Sequence, residues 1–374
     1  MSKRQAVPLM FCLLGSALAG GCASSQKVSP EAHKAPIATK EPVQIIFDTD
    51  MSLDVDDVGA LALLHALADR GEAEILGVMV SESVHSYDGL WGPPLVDILN
   101  TYYGRPNIPI GIYKGAAKDI GVYGHFAEKV VKANFPHDLR EAEQAEDATR
   151  LYRRLLAAAP YRSVKIVTSG YLTNLNNLLL SMPDDVSPLL GTELVARKVI
   201  EWTCAGGRYS SADRSPEINF AHYPETTEYV LSAWPGKITF MGDELAPKYM
   251  TGGKLTNTFE STVNPVAMAW QHFNGGQAQR SRDSVAVLYA VRGLASTDGA
   301  YFKSVGNGAN HYEKADGGLT MSGHVPQAQN VWVAGEEKPH SYLRPAAATV
   351  PVTNTIDALI TAPPAKVAPL SASH

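Results

Sequence analysis

Residues 45–57 read IIFDTDMSLDVDD: a short apolar run, with five aspartates inside the ten positions 48–57. Carboxylates that close repel one another, so a folded chain needs a positive charge or a dense set of hydrogen bonds to hold them. The apolar run has the composition of a buried strand. Behind the aspartates, Val58, Leu61, Leu64 and Ala68 recur at helical spacing, which places the cluster on a strand-to-helix turn. One or two of the five are expected only to cap the helix or decorate the loop. The remainder form an oxygen-only donor set suited to a hard cation, Ca²⁺ or Mg²⁺.

Working outward, EILGVMVS (74–81), VKIVTS (164–169), KVIEWT (198–203) and KITFMG (237–242) read as further buried strands. Helical patterns lie between them in AEDATRLYRRLLAAA (145–159) and in PETTEYVLSAW (224–234), which opens with Pro224 at a first-turn position. Residues 264–293 are largely helical in pattern. This alternation predicts an α/β fold: a Rossmann-like, open, mostly parallel sheet with helices on both faces, in a single large domain over residues 43–345. The Gly-rich 300–335 region reads as loops or short strands. Residues 346–374, rich in Pro, Ala, Thr and Val, read as a loosely held tail. Sites in such sheets form beyond the carboxyl ends of the strands. The loops beginning at Asp48, Thr168 and Cys204 are therefore expected to meet there.

The chain of 374 residues is 45% hydrophobic and 19% charged with a net charge of −6, the balance of a soluble globular protein. Lacking a basic surplus, it is expected to have no nucleic-acid partner. Lys3 and Arg4 precede an apolar stretch reaching Ala19, followed by LAGGCASS, which reads as a secretory signal over 1–21. The small residues before Cys22 resemble a bacterial lipoprotein box, with Ala19 where that box has Leu. The expectation is lipidation at Cys22, a flexible tether over 22–42, and a place in the bacterial cell envelope facing the periplasm or exterior. The membrane would be touched only through the lipid. Cys12, Cys22 and Cys204 are the only cysteines, so Cys204 stands without a disulfide partner.

Two families compete for the aspartate cluster. IIFDTDMSL resembles the first motif of haloacid-dehalogenase-type phosphatases, which implies Asp48 as nucleophile with Mg²⁺. KIVTSG and FMGDE resemble that family's later motifs, but LAPKYM follows where another acid belongs. GNGAN at 306–310 lacks the Lys and following helix of a phosphate loop and reads as a turn. Four segments in order across residues 43–293 resemble instead the inosine–uridine-preferring nucleoside hydrolase family. They are DTDMSLDVDDVGALAL, TSGYLTNLNNLL, PEINFAHYPETTEYVL and SRDSVAVLYAV, the first looking like a variant with two extra residues before the aspartate pair.

That resemblance implies Ca²⁺-dependent hydrolysis of the N-glycosidic bond of ribonucleosides or related N-ribosides by a metal-bound water. It implies Ca²⁺ held by Asp50, Asp57, Asp283 and the Ser169 carbonyl, with Asp50 also the general base. Asp56 would bind a ribose hydroxyl, and Glu217 and Asn219 would contact the sugar. Ser211 falls where the family has a sugar-contacting Asn. Asp48 and Asn174 would support the metal loop, and Asp54 is an extra acid that competes with Asp56 for the ribose role. Arg282 stands at the catalytic position where the family has a leaving-group His, and Arg is a poor proton donor. His85, His311 and His340 are candidate replacements, although packing is the commoner fate of a histidine. The alternative function is a non-catalytic ribose or nucleoside binder on the same fold. The expected partner is a small nucleoside or riboside, with homo-oligomerisation left open.

Overall fold

The computed structural model describes residues 41–118, 121–209, 215–296, 299–313, 329–346 and 348–365. Seven parallel strands form most of one sheet: β1 (Val43–Thr49), β2 (Ala73–Ser83), β3 (Ile110–Tyr113), β4 (Glu146–Asp147), β5 (Val164–Thr168), β6 (Val199–Ala205) and β7 (Lys237–Met241). Strand His340–Pro345 continues the sheet in parallel beside β7, and Phe302–Val305 closes that edge antiparallel, giving nine strands. From β1 the chain lays β2, β3 and β4 in one direction, then returns to set β5, β6 and β7 on the other side. The order reverses between β1 and β5, whose loops diverge and leave a crevice at their carboxyl ends.

β1 shows why the sheet is covered on both faces. Ile45 and Phe47 belong to one apolar core and Ile46 to another, as the two-residue period of a strand requires. On the first face lie α1 (Val55–Asp69), α2 (Tyr87–Tyr102) and α3 (His125–Lys132). On the second lie α4 (Ala148–Ala158), α5 (Thr173–Leu180) and α6 (Gly191–Lys198). The one-turn α7 (Ile218–Ala221) leads into α8 (Pro224–Ala233), which also packs on the second face. After the short α9 (Leu255–Thr258), α10 (Pro265–Asn274) and α11 (Arg282–Arg292) return to the first. The expected open, mostly parallel sheet in one large domain is therefore the observed fold.

Three details depart from the sequence reading. Residues 264–293 are two helices, because Gly275 takes a left-handed conformation (φ 73°) and ends α10. Helix α2 went unread because Pro93 and Pro94 lie inside it. Its burial of Leu95, Val96, Ile98 and Leu99 outweighs the lost hydrogen bonds. The loose tail expected after Ala346 instead contains α12 (Val350–Ile360), which packs against α1. Val352, Ile356, Leu359 and Ile360 are buried in the core there, a helical spacing that a Pro- and Ala-rich composition obscures. The region after Gly299 forms short strands as expected, among them Gly308–Glu313 and Gln329–Ala334.

Candidate active site

The crevice at the ends of β1 and β5 opens into a cavity of about 300 Å3. Its floor is carboxylate: Asp50, Asp54, Asp56, Asp57 and Asp283 line it together with Ser169. Asp50 and Ser169 come from the strand ends, and Asp56 and Asp57 from the first turn of α1. Asp283 comes from the first turn of α11, which lies against α1. Acids in a first helical turn are favoured by the exposed N–H groups and dipole there. One oxygen from each of Asp56, Asp57 and Asp283 falls within 4.8 Å of the others. Asp57 Oδ1 accepts from the hydroxyls of Thr49 (2.5 Å) and Ser169 (2.7 Å), which orient it.

The electrostatics are severe. Burial, followed by the charges of Asp57 and Glu82, holds Asp50 well above the usual carboxylate range. Burial and then Asp54 and Asp57 do the same to Asp56; burial and then Asp56 and Asp57 do so to Asp283. Asp57 is pushed to about 6 by burial, with its two hydroxyl donors working against the rise. Arg282 is the buried cation beside them. Burial works to lower its pKa, but Glu217, Asp283 and Asp243 more than offset it and keep the guanidinium charged. Its Nη1 donates to Glu217 Oε1 at 2.8 Å and lies 3.6 Å from Asp243 Oδ1; its Nε lies 3.7 Å from Asp283 Oδ1.

One guanidinium does not satisfy five carboxylates. Asp50 Oδ2 and Asp283 Oδ1 are buried without a hydrogen-bond partner among the described residues. Such orphaned oxygens are rare, and they mark a place where a cation or its water fits. The donor set is entirely oxygen, as a hard divalent ion requires.

The sequence profile described as inosine-uridine preferring nucleoside hydrolase matches residues 45–343 of this chain. The chain belongs to that family. It is thus, by family, an N-glycosyl hydrolase acting on ribonucleosides. Solved structures agree on the fold. An inosine-uridine preferring nucleoside hydrolase from Bacillus anthracis superposes with a TM-score of 0.61 at 14% identity, covering 85% of this chain and 99% of its own. An inosine-guanosine nucleoside hydrolase gives 0.61 at 18% identity, covering 85% and 98%. The type III effector protein XopQ, complexed with adenosine diphosphate ribose, gives 0.58 at 14%, covering 87% and 94%. No curated protein sequence matches the chain.

Within this nucleoside hydrolase fold most expected site residues converge on the cavity, with instructive exceptions. Asp50, Asp56, Asp57, Ser169, Asn219, Arg282 and Asp283 all line it. Asn219 spends both amide hydrogens on the carbonyls of Ser169 (2.7 Å) and Ala205 (3.0 Å), leaving its Oδ1 for a ligand. Glu217 does not line the cavity and sits behind Arg282. Its oxygens cap α7 and accept from the backbone N–H groups of Gly207, Asn219 and Phe220, so it braces Arg282. Ser211 and Cys22 lie outside the described residues.

Asp54 is the helix cap among the five. Its Oδ1 accepts from Asp56 N, and Gln279 Nε2 donates to both its oxygens at 3.1 Å. Asp48 points to the opposite face of β1, where it accepts from Tyr152 Oη (2.9 Å) and Asn174 Nδ2 (3.0 Å). It is buried away from the cavity, which removes the phosphatase reading that needs it as a nucleophile. None of the three candidate histidines reaches the cavity. His85 is exposed, His311 bonds Glu336 and His340 accepts from Asn310 N. Sequence reasoning missed Glu82, Asp243 and Tyr123. Glu82 is buried beside Asp50, with Oε1 accepting from Ser52 N and Oε2 without a partner among the described residues. An acid directly after the apolar run of EILGVMVSES is the one signal that could have found it.

Proposed function

We propose that this chain hydrolyses N-ribosides with a Ca²⁺ ion held by Asp50, Asp57, Asp283, Asp56 and the Ser169 carbonyl. The observation that carries the reading is the buried carboxylate floor with two oxygens that accept no hydrogen bond among the described residues, Asp50 Oδ2 and Asp283 Oδ1. The ion would balance these charges, bind the ribose hydroxyls and acidify the attacking water. Asp50, beside the ion, would accept that water's proton. Cleaving a C–N glycosidic bond develops positive charge on the sugar, and the surrounding carboxylates stabilise it as it forms. Asn219 Oδ1 is placed to accept from a sugar hydroxyl. Because no histidine lines the cavity among the described residues, the departing base is met instead by the donors Tyr123, Arg280 and Arg282.

The test is release of reducing sugar from a nucleoside panel by the Ca²⁺-loaded protein. Asp50→Asn is expected to lower the rate by about 10²–10⁴-fold, the range for loss of a general base. A smaller effect would place the base elsewhere. The missing histidine favours a second reading, a nucleoside binder without turnover. Calorimetric heat with no released sugar would establish it.

For the N-terminal segment we propose lipidation at Cys22 and retention at the cell envelope, on the strength of LAGGCASS after a charged, apolar start. Cys22→Ala should move the protein out of the detergent phase; unchanged partitioning would contradict the anchor.

A further inference from the structure

The acidic cavity adjoins a second, of about 620 Å3, with the opposite character. Arg208, Lys248, Arg280 and Arg344 line it against two carboxylates, Asp243 and Glu244. Asp243 and Arg280 line both cavities, so the two share a wall. Asp243 is shared along a charged row: Arg208 Nη2 pairs with its Oδ2 at 2.7 Å, and Arg282 Nη1 approaches its Oδ1 at 3.6 Å. Lys248 and Arg344 have no carboxylate partner among the described residues, whereas Arg280 acts on the charge of Asp54.

These cations stand on an anchored frame. Arg208 N donates to Asn330 Oδ1 (2.6 Å) while Asn330 Nδ2 donates to Arg208 O (2.9 Å), fixing that loop to strand Gln329–Ala334. Arg344 lies over the Tyr342 ring, 5.4 Å from its centre, and donates to the Tyr342 hydroxyl at 3.0 Å. Tyr342 in turn stacks on Tyr209 at 4.8 Å. Like charges gathered on a fixed wall repel one another and attract an anion. Guanidinium groups match the paired oxygens of phosphate and carboxylate.

We propose that this second cavity is a subsite for an anionic group, phosphate or carboxylate, carried by the riboside whose sugar occupies the acidic cavity. The proposal rests on the riboside reading above and names its substrate class. The polarity of the paired cavities fixes orientation. An anion over Asp50, Asp56 and Asp57 is repelled, whereas the sugar, which becomes cationic in the reaction, is favoured there. The ligand therefore enters with its charge toward Lys248 and Arg344.

Calorimetry on the Ca²⁺-loaded full chain tests this with pseudouridine, a C-riboside that resists hydrolysis, and pseudouridine 5′-phosphate. The phosphate should bind at least about tenfold tighter at low salt. A Lys248→Gln/Arg344→Gln double variant should erase that gain and leave pseudouridine affinity unchanged. The relative kcat/KM of orotidine and uridine reports an anion on the base instead of the sugar, and a preference for orotidine that the double variant abolishes would also support the subsite. The subsite is overturned if neither anionic ligand gains over its neutral counterpart, if the double variant keeps the gain, or if it weakens both members of a pair equally. Failure of pseudouridine itself to bind would sink the riboside reading, a separate result.

Discussion

At the residue scale the five aspartates of DTDMSLDVDD divide into three tasks. Asp50, Asp56 and Asp57 line the cavity floor, Asp54 both lines it and caps α1, and Asp48 faces the opposite core. Burial raises the Asp48 carboxyl from 3.8 to about 7, although Asn174 and Tyr152 donate to it. A folded pKa above the unfolded one means that the native state binds the extra proton. The stability this contributes is complete below about 4 and is lost as pH rises toward 7. Asp48→Asn, which resembles the protonated form, should therefore gain stability relative to the parent across that window. Denaturation midpoints against pH, taken in chelator, would show converging or crossing curves; parallel curves would contradict the assignment. Arg282 makes the complementary case. Arg282→Ala leaves Glu217 and Asp283 buried without their cation, and should cost about 3–5 kcal/mol by chemical denaturation. A loss below 1 kcal/mol or so would mean the pair is solvated and not the brace described here.

At the element scale the site depends on how closely β1 and β5 approach. A Cβ added at Gly170 would lie 2.6 Å from the Asp50 backbone nitrogen and closer still to Ser81 Oγ. Gly170→Ala should push the turn after β5 away from the end of β1, and with it Ser169 and its bond to Asp57. The expected result is activity down by about 10²-fold, the scale for a displacement of roughly 1 Å in a site, with the fold retained. Parental activity in that variant would show that the strand separation is not critical. This element pattern also explains what the sequence made legible. Strands β1, β2, β5, β6 and β7 are continuous apolar runs, and α1, α4 and α8 have clean spacing, so the sheet and its active edge could be read directly. The place of Glu217 behind Arg282 was not legible, because only the fold brings Arg282 between it and the cavity, 65 residues along the chain. α2 and α12 were obscured by prolines and small residues, whose helix-forming signal is weak until tertiary packing supplies the burial. Tyr123 carried no motif and Asp243 only the phosphatase-like FMGDE; the crevice is what collects them.

At the scale of the whole molecule, the chain combines a strongly acidic cavity at the sheet's switch point with a cationic cavity next to it. A divalent ion and protons compete for buried carboxyls, so Ca²⁺ affinity and the stability it confers should be coupled. The most direct measurement is sugar release from uridine and inosine by metal-stripped protein titrated with Ca²⁺, followed in parallel with the thermal midpoint. The account predicts no release in chelator, recovery that saturates at one ion per chain, and a midpoint that rises with the same titration. Hydrolysis that proceeds undiminished in chelator, or a midpoint indifferent to Ca²⁺, would contradict it.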